Sequence, residues 1–381
     1  MIDLLRSGAD MESTGKRRAG RSRICVVDAN ARFRAEVRDA LTSVYEVQEL
    51  SEQGPALDAI SLVPPAAIIL DENVIPNGGL ALLREIGCVP ELRKVPLICT
   101  APHERSVFLA DAKGLGVRTT LIKPFRRHVL LQALSGEIND RVERSWLRIE
   151  PIQQAALRRT TRVFNELADL ISEGRPLRYD TVSAACEPLV EAVMAGNFQD
   201  MLEGVRQHDN YTYVHSFRVA TFLSAFGQAI GIGRSDLLIL ATGGLIHDVG
   251  KLAVPWDILN ESSRLTDRQL AIVRSHVNRT REFLRNSPGI PKGAVTIAEQ
   301  HHEKLDGSGY PLGLKADQLN ELARMATIID IFSAMTDRRI YKEAMAPEQA
   351  LFTMTQMKAE LDQHLLAVFR DLLLATARKI D

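Results

Sequence analysis

The sequence has few cysteines, few aromatic residues and no excess of charge of either sign. Its 4 cysteines show no CxxC spacing, which favours reduced core residues over disulfides or a zinc knuckle. With 47 basic against 48 acidic residues, the chain has no global field that would attract nucleic acid or an anionic membrane. We therefore expect no direct nucleic-acid binding, and any phosphate site must be local.

Long apolar runs are also missing. No uninterrupted stretch approaches the roughly 20 residues that span a bilayer, and the first residues lack the apolar segment of a signal peptide. We therefore expect a soluble, cytoplasmic, unprocessed protein with no membrane contact. Residues 1–22, with the basic run GKRRAGRS, contain too little apolar surface to fold, and we expect a disordered tail there.

Between residues 23 and 140, short apolar runs alternate with stretches of helical periodicity. The runs are RICVVD, EVQEL, AAIILD, VPLICT and RTTLI. Strands that alternate with helices predict an α/β domain with a doubly wound parallel sheet. The length of 381 residues also suits two domains and a connecting segment.

The predicted strands end in residues that carry chemistry. Asp28, Asp71 and Thr100 end three strands, and Lys123 follows the fifth. Ligand sites in such sheets lie at the carboxyl edge. The spacing resembles the response-regulator receiver domain of two-component signalling, which has a flavodoxin-like fold. The resemblance implies that Asp71 is the phosphoacceptor candidate, with Asp28, Thr100 and Lys123 beside it, Mg²⁺ at this edge and a sensor histidine kinase as partner. Receivers usually offer an acidic pair after the first strand, whereas Ala29 follows Asp28 here. A receiver fold kept for dimerisation or docking is the alternative.

The rest of the chain has the pattern of helices. Residues 141–204 predict a helical linker and leading helices, and residues 205–381 predict an all-α bundle that carries the catalytic site. Both segments are compatible with a homodimer. The amphipathic stretches of the bundle are 214–230, 236–247, 267–285, 320–337 and 347–376.

Histidines are concentrated in this helical region, next to carboxylates. Of the 9 histidines in the chain, those that come in motifs are His215, His247, His276, His301 and His302. In the dyad His247-Asp248, the imidazole can hold one metal ion while the carboxylate bridges to a second. With Asp330 downstream, the order of these residues resembles the HD phosphohydrolase superfamily. Imidazole and carboxylate ligands suit iron or manganese, and the absence of thiolates argues against a structural zinc site.

A second motif covers residues 301–311, with the sequence HHEKLDGSGYP. It resembles the HD-GYP signature HHExxDGxGYP, and the resemblance extends over about residues 205–375. We expect Gly307 and Gly309 to adopt positive φ values in a tight loop and Pro311 to stiffen the exit of that loop. The resemblance implies a hydrolase, a phosphodiesterase acting on the bacterial second messenger cyclic di-GMP and regulated through the receiver-like domain.

The resemblance also implies a role for individual residues. A hydroxide that bridges two divalent metal ions would cleave cyclic di-GMP, with pGpG or GMP as the alternative end products and with Asp248 and Lys251 as catalytic residues. One metal would be held by His215, His247, Asp248 and Asp330, and the other by Asp248, His276, His301 and His302. The substrate-binding residues would be Lys251, Gly309, Tyr310, Pro311, Arg339 and Lys342.

Three positions depart from the family pattern. Tyr211 stands where some members place a glutamate for a third metal, so we expect two metals. Ser333 stands where the helix commonly repeats an aspartate, and Glu261 lies in a stretch that is often basic. These departures leave open a cyclic di-GMP sensor that hydrolyses weakly and signals through protein contacts. The loop of the second motif, residues 301–311 and called the GYP loop below, disfavours an HD phosphohydrolase for other nucleotides. The clustered histidines disfavour a purely structural helical module.

Overall fold

The computed structural model describes residues 22–41, 45–206, 208–259, 261, 264–337 and 344–377. The chain divides into two compact units between Arg144 and Ser145. The boundaries predicted after residues 22, 140 and 204 stay predictions. Arg339 and Lys342, predicted to bind substrate phosphate, lie outside the described residues, as does nearly all of the predicted tail.

The first unit contains a five-stranded sheet of order β2-β1-β3-β4-β5, in which all neighbouring strands are parallel. This order confirms the predicted doubly wound, receiver-like fold, and it places the topological switch point between β1 and β3. Every residue of the third strand is buried, as expected of a strand covered on both faces. The strands are β1 (Arg23–Val27), β2 (Glu46–Leu50), β3 (Ala67–Asp71), β4 (Leu97–Ala101) and β5 (Thr119–Ile122).

The helices of this unit alternate with the strands. Their apolar side chains complete one core with the sheet, for example Leu82 and Ile86 against Ile68 and Leu70. The helices are α1 (Ala31–Leu41), α2 (Gln53–Leu62), α3 (Gly79–Cys88), α4 (Val107–Gly114) and α5 (Arg127–Ser145).

The described residues of the second unit contain helices and no β-strand, which confirms the predicted all-α domain. Within this unit, α10 packs against α7, α9 and α14, and α15 packs against α9. The helices are α6 (Pro151–Ser172), α7 (Tyr179–Met194), α8 (Gln199–Val205), α9 (Tyr211–Ala229), α10 (Arg234–Ile246), α11 (Trp256–Leu259), α12 (Asp267–Arg274), α13 (His276–Arg285), α14 (Lys292–Gln300), α15 (Glu321–Thr336), α16 (Pro347–Gln356) and α17 (Gln363–Ala377).

Three predicted helical stretches are wrong in their continuity. The stretch 267–285 is two helices that meet at Ser275, and the stretch 347–376 is broken between α16 and α17. The segment 141–204, predicted to be helical, contains a short 3-10 turn, Trp146–Arg148, followed by α6, which starts with Pro151. Proline lacks an N–H and belongs at the first position of a helix. Periodicity misses such breaks because the apolar face continues on both sides of them.

Side-chain caps fix where the site helices begin. The Asn210 side chain accepts the Tyr213 N–H at the start of α9, and the Asn320 side chain accepts the Ala323 N–H at the start of α15. Such caps satisfy donors that have no partner within the helix.

Among the described residues, none of the helices combines the length and the apolar character that crossing a membrane requires.

Candidate metal centre

Three histidines of the second unit lie where a helix ends. His247 and His301 are the C-terminal caps of α10 and α14, and His276 follows the cap residue of α12. The Nδ1 atoms of His247, His276 and His301 lie 2.7, 2.6 and 3.0 Å from the carbonyl oxygen three residues earlier. Because a carbonyl only accepts, each Nδ1 carries a proton, which leaves Nε2 as the ring atom that can bind a metal.

The structure brings the seven predicted metal ligands together in two buried groups. The ligand atoms of each group lie within 4.8 Å of one another. The Oδ1 atom of Asp248 lies 3.0 Å from His276 Nε2 and 3.7 Å from His301 Nε2, while its Oδ2 atom lies 3.3 Å from His247 Nε2. Asp248 therefore faces both groups, as a bridging carboxylate must. One group is His215, His247 and Asp330, and the other is Asp248, His276, His301 and His302.

The donor atoms of this cluster are short of hydrogen-bond partners. Within the described part of the chain, six buried ligand atoms have none: Nε2 of His247, His276, His301 and His302, Oδ1 of Asp248 and Oδ2 of Asp330. A buried polar atom without a partner costs free energy. Divalent ions would satisfy these atoms together, and imidazole and carboxylate are ligands that such ions take. The residues present therefore fit the metals expected from the sequence.

Burial and charge set the protonation of the cluster. Burial lowers the pKa of His301 to about 4. Burial acts in the same direction on His247, but the neighbouring carboxylates, chiefly Asp248, raise the pKa of His247 to about 9. Burial also opposes ionisation of Asp248, yet Lys251 and the surrounding imidazoles hold the pKa of its carboxyl well below the usual value. The cluster thus supplies an anionic carboxylate among imidazoles, as metal binding requires.

The turn after the dyad is pressed against α13. A Cβ atom on Gly250 would lie 2.1 Å from the carbonyl oxygen of His276, so this close approach excludes any larger residue. The Gly250 N–H donates to Thr280 Oγ1 at 2.9 Å. Lys251 follows in the same turn, and its ammonium forms an ion pair with Asp248 Oδ2. The turn therefore places the Lys251 cation directly at the edge of the cluster.

The GYP loop is held by Glu303, a residue to which the sequence reasoning assigned no role. Its buried carboxylate accepts the Leu312 N–H at 2.7 Å and the Leu314 N–H at 2.9 Å. Gly307 has the predicted positive φ, 80°. The same prediction for Gly309 is wrong: glycine is needed there because a Cβ would lie 2.5 Å from the Glu303 Cα. Its position inside the HHExxDGxGYP motif is the sequence feature that could have identified Glu303 as functional.

The exit of the loop borders a cavity of about 380 Å³. Tyr310 stacks on His302 with ring centroids 4.5 Å apart, and the Arg274 guanidinium lies 5.1 Å from the Tyr310 ring centroid. The loop thus connects a ligand histidine to an open cavity. The cavity is lined by Asp267, Leu270, Ala271, Arg274, Ser275, Asn278, Tyr310 and Pro311. Gly309 is not among the lining residues, and no sequence signal had marked Arg274.

A further buried carboxylate, Asp337, was missed by the sequence reasoning. Its Oδ2 atom lies 2.9 Å from Nδ1 of His215, and Arg218 forms an ion pair with its other oxygen. Asp337 directly follows α15, the helix that carries Asp330, and this proximity in sequence was the only available signal.

The first unit also brings its predicted residues together, at the carboxyl edge of the sheet. Thr100 Oγ1 donates to Asp71 Oδ2 at 2.8 Å, and Lys123 Nζ lies 2.5 Å from the same oxygen. Lys123 also forms an ion pair with Asp28. Burial raises the pKa of Asp28, and the hydrogen bond from Lys123 opposes that rise. Ala29 leaves Asp28 without an acidic neighbour in the sequence, so phosphorylation of Asp71 stays a prediction.

Comparisons with known proteins match both units. An HD domain family model matches residues 199–365. A probable cyclic di-GMP phosphodiesterase of Vibrio cholerae is 39% identical over 337 residues, covering 86% of this chain and 72% of the relative. The cyclic di-GMP phosphodiesterase response regulator RpfG of Xanthomonas campestris is 25% identical over 333 residues, covering 86% of this chain and 81% of the relative.

A third relative matches a shorter part of the chain. A cyclic di-GMP phosphodiesterase of Pseudomonas aeruginosa is 34% identical over 167 residues, which is 43% of this chain and 40% of the relative. The fold and the site define a receiver-like unit followed by an HD-domain phosphohydrolase unit. With the HD-GYP loop and these relatives, the chain belongs to the HD-GYP family of HD domain proteins.

Proposed function

We propose that this protein is a metal-dependent phosphodiesterase that hydrolyses cyclic di-GMP to pGpG, with GMP as the alternative end product. The observation that carries the proposal is the group of buried ligand atoms without hydrogen-bond partners, six among the described residues, that converges beside the GYP loop. The names of the relatives that match both units support the choice of substrate. The proposed catalytic residues are Asp248 and Lys251.

Two divalent ions, of iron or manganese, would complete the site. His215, His247 and Asp330 would hold one ion, and His276, His301 and His302 would hold the other, with Asp248 as a ligand of both. When bound, the ions would polarise the phosphodiester and lower the pKa of the attacking water. The absence of thiolates from both groups disfavours a structural zinc site.

The protein's own groups would orient the substrate and stabilise its charge. Lys251, only 14% exposed and in contact with Asp248, offers a compact cation to the phosphate that is attacked. Tyr310, stacked on His302 at the cavity wall, offers an aromatic face to a nucleobase. Arg274 on the same wall can grip phosphate oxygens. Pro311 also lines the cavity, and Gly309, Arg339 and Lys342 are proposed from the family resemblance alone.

Regulation through the first unit belongs to the same proposal. Asp71, with Thr100 and Lys123 in contact with it, has the surroundings of a phosphoacceptor. Phosphorylation by a sensor histidine kinase would need Mg²⁺ at this edge, where Asp28 is the second carboxylate. A homodimer in the cytoplasm remains part of the proposal.

The test is a turnover assay on protein purified without chelator, with metal content measured on the same sample. We expect about two metal ions per chain, turnover of cyclic di-GMP, and slower turnover of cyclic GMP-AMP and cyclic di-AMP. The double variant His247→Ala, Asp248→Ala should lose both the metals and the turnover. Tight binding of cyclic di-GMP without turnover would replace this proposal with a sensor. Absence of bound metal after iron or manganese is supplied would overturn it.

A further inference from the structure

His215 differs from the three helix-end histidines of the cluster in the partner of its Nδ1 atom. His247, His276 and His301 each direct Nδ1 to a backbone carbonyl. His215 lies inside α9, and its Nδ1 meets Oδ2 of Asp337 at 2.9 Å while its Nε2 lies 2.9 Å from Asp330 Oδ1. A side-chain carboxylate therefore orients this ring, because a mid-helix position has no free carbonyl nearby.

Asp337 lies one helical turn beyond Ser333, the position where the family pattern has an aspartate. The Asp337 N–H donates to the Ser333 carbonyl at 2.7 Å. Residues three, four and seven apart on a helix share one face, so Asp330, Ser333 and Asp337 all face α9, against which α15 packs. Ser333 is fully buried, and among the described residues its hydroxyl has no hydrogen-bond partner. The carboxylate is thus absent at residue 333 and present four residues later on the same face.

A partly buried arginine, Arg218, compensates the charge of Asp337. Arg218, one turn after His215 on α9, forms an ion pair with Asp337 Oδ1 and donates to Thr336 Oγ1 at 2.8 Å. An isolated buried carboxylate would be costly, whereas one that is paired on one oxygen and hydrogen-bonded on the other is tolerated. Asp337 can therefore be buried here with one oxygen directed at the His215 Nδ1 atom.

We propose that Asp337 is the positioning residue of His215 and replaces the carboxylate missing at residue 333. By accepting from Nδ1, it keeps the proton off Nε2, fixes the plane of the ring and makes the imidazole a stronger ligand. Ser333 then does not indicate a weakened site, because Asp337 supplies, one turn later, the carboxylate that the family pattern has at residue 333. This inference rests on the proposed function, since it concerns the same metal site.

The test exchanges the two side chains. Metal-free protein is titrated with Mn²⁺ alone, without nucleotide, in wild type, Asp337→Ser, Ser333→Asp and the double exchange Ser333→Asp, Asp337→Ser. We expect Asp337→Ser to weaken one of two Mn²⁺ sites about 10- to 100-fold and to leave the other unchanged. The double exchange should recover most of that loss, because a carboxylate again reaches the face of α15 opposite His215. Asp337→Asn, which keeps an acceptor oxygen but no charge, should fall in between.

Glu321→Ser is the matched control, since it removes an exposed carboxylate from the other end of α15. Thermal unfolding of each metal-free variant separates loss of folding from loss of binding. Two unchanged Mn²⁺ sites in Asp337→Ser would overturn the inference and leave the proposed function intact. A double exchange that folds but stays as weak as Asp337→Ser would also overturn it. Wild type without any Mn²⁺ site would instead overturn the proposed function.

Discussion

The two units each bury a pair of carboxylates, but they neutralise them differently. In the first unit, one lysine, Lys123, forms ion pairs with both Asp28 and Asp71. In the second unit, Lys251 pairs with Asp248 alone, and among the described residues the Nε2 atoms of four surrounding imidazoles lack hydrogen-bond partners. A protein cation therefore pairs with both carboxylates of the first group, whereas the second group keeps buried donor atoms that added cations would satisfy. Clustered acidic residues alone therefore do not indicate a metal site, whereas buried donor atoms without partners do.

The largest expected effect comes from making the same change in both units. Asp248→Asn should lower cyclic di-GMP turnover roughly 1,000-fold, because losing metal catalysis costs several kcal/mol and each 1.36 kcal/mol is tenfold. Asp71→Asn should leave the turnover of unphosphorylated protein unchanged. Steady-state assays with measured metal content check both variants. Equal losses of turnover in the two variants would contradict the difference inferred between the two units.

The next prediction distinguishes the role of Lys251 from that of the metal ligands beside it. Lys251→Met keeps the apolar stem and removes the charge, so we expect kcat to fall roughly 100-fold, as when one donor to a developing charge is removed. Metal content should stay the same, because Lys251 is not a ligand. Lys358→Met, a change at an exposed lysine, serves as the control. Loss of metal from Lys251→Met would show that the lysine stabilises Asp248 instead of the substrate.

The third effect is a pH dependence that only the second unit should show. Without metal, the pKa of His247 is raised to about 9, so His247 carries a proton below that pH and must release it when metal binds. Apparent Mn²⁺ affinity should therefore fall about tenfold for each pH unit below pH 9, one proton being displaced. Titrations at several pH values, with proton release measured in weak buffer, check the slope. In His247→Ala, the part of the pH dependence of Mn²⁺ affinity that comes from this residue should disappear. A wild-type affinity that does not change with pH would contradict the expectation.

The smallest effect tests whether the first unit lacks only one ligand. Ala29→Asp supplies the acidic neighbour of Asp28 that receivers usually have, and we expect Mg²⁺ affinity to rise roughly tenfold, as charge is added to the site. Labelling of Asp71 by phosphoramidate, followed by mass spectrometry, should increase in parallel. Asp71→Asn in the same background controls for labelling elsewhere. Unchanged labelling would favour a receiver fold that serves docking.

Much of the fold followed from local pattern. The strands of the first unit were predicted because buried parallel strands are short apolar runs between helical stretches. The helices of the second unit were predicted as a class, but their ends were not. The break at Ser275 matters for the site, since it places His276 at the start of α13. A break that leaves the apolar face continuous carries no signal in hydrophobic periodicity.

Part of the candidate ligand set lies in contiguous motifs, namely His247-Asp248 and residues 301–311, whereas His215, His276 and Asp330 were predicted from the family resemblance. The roles of Glu303, Asp337 and Arg218 were not predicted. Each acts through a contact with a residue distant in sequence or with a backbone group, as when Glu303 accepts the Leu312 and Leu314 N–H groups.

The sequence by itself determined the two fold classes, the family and the residue types that can bind metal, because these depend on periodicity and on residues adjacent in the chain. Only the tertiary structure decided which Nε2 atoms remain without partners, how Asp248 faces both groups, and that Asp337 supports His215 in place of residue 333. The physical reason is that hydrogen-bond satisfaction is settled by what packs opposite each atom. His215 and Asp337, 122 positions apart in the chain, come into contact only when α9 and α15 pack together.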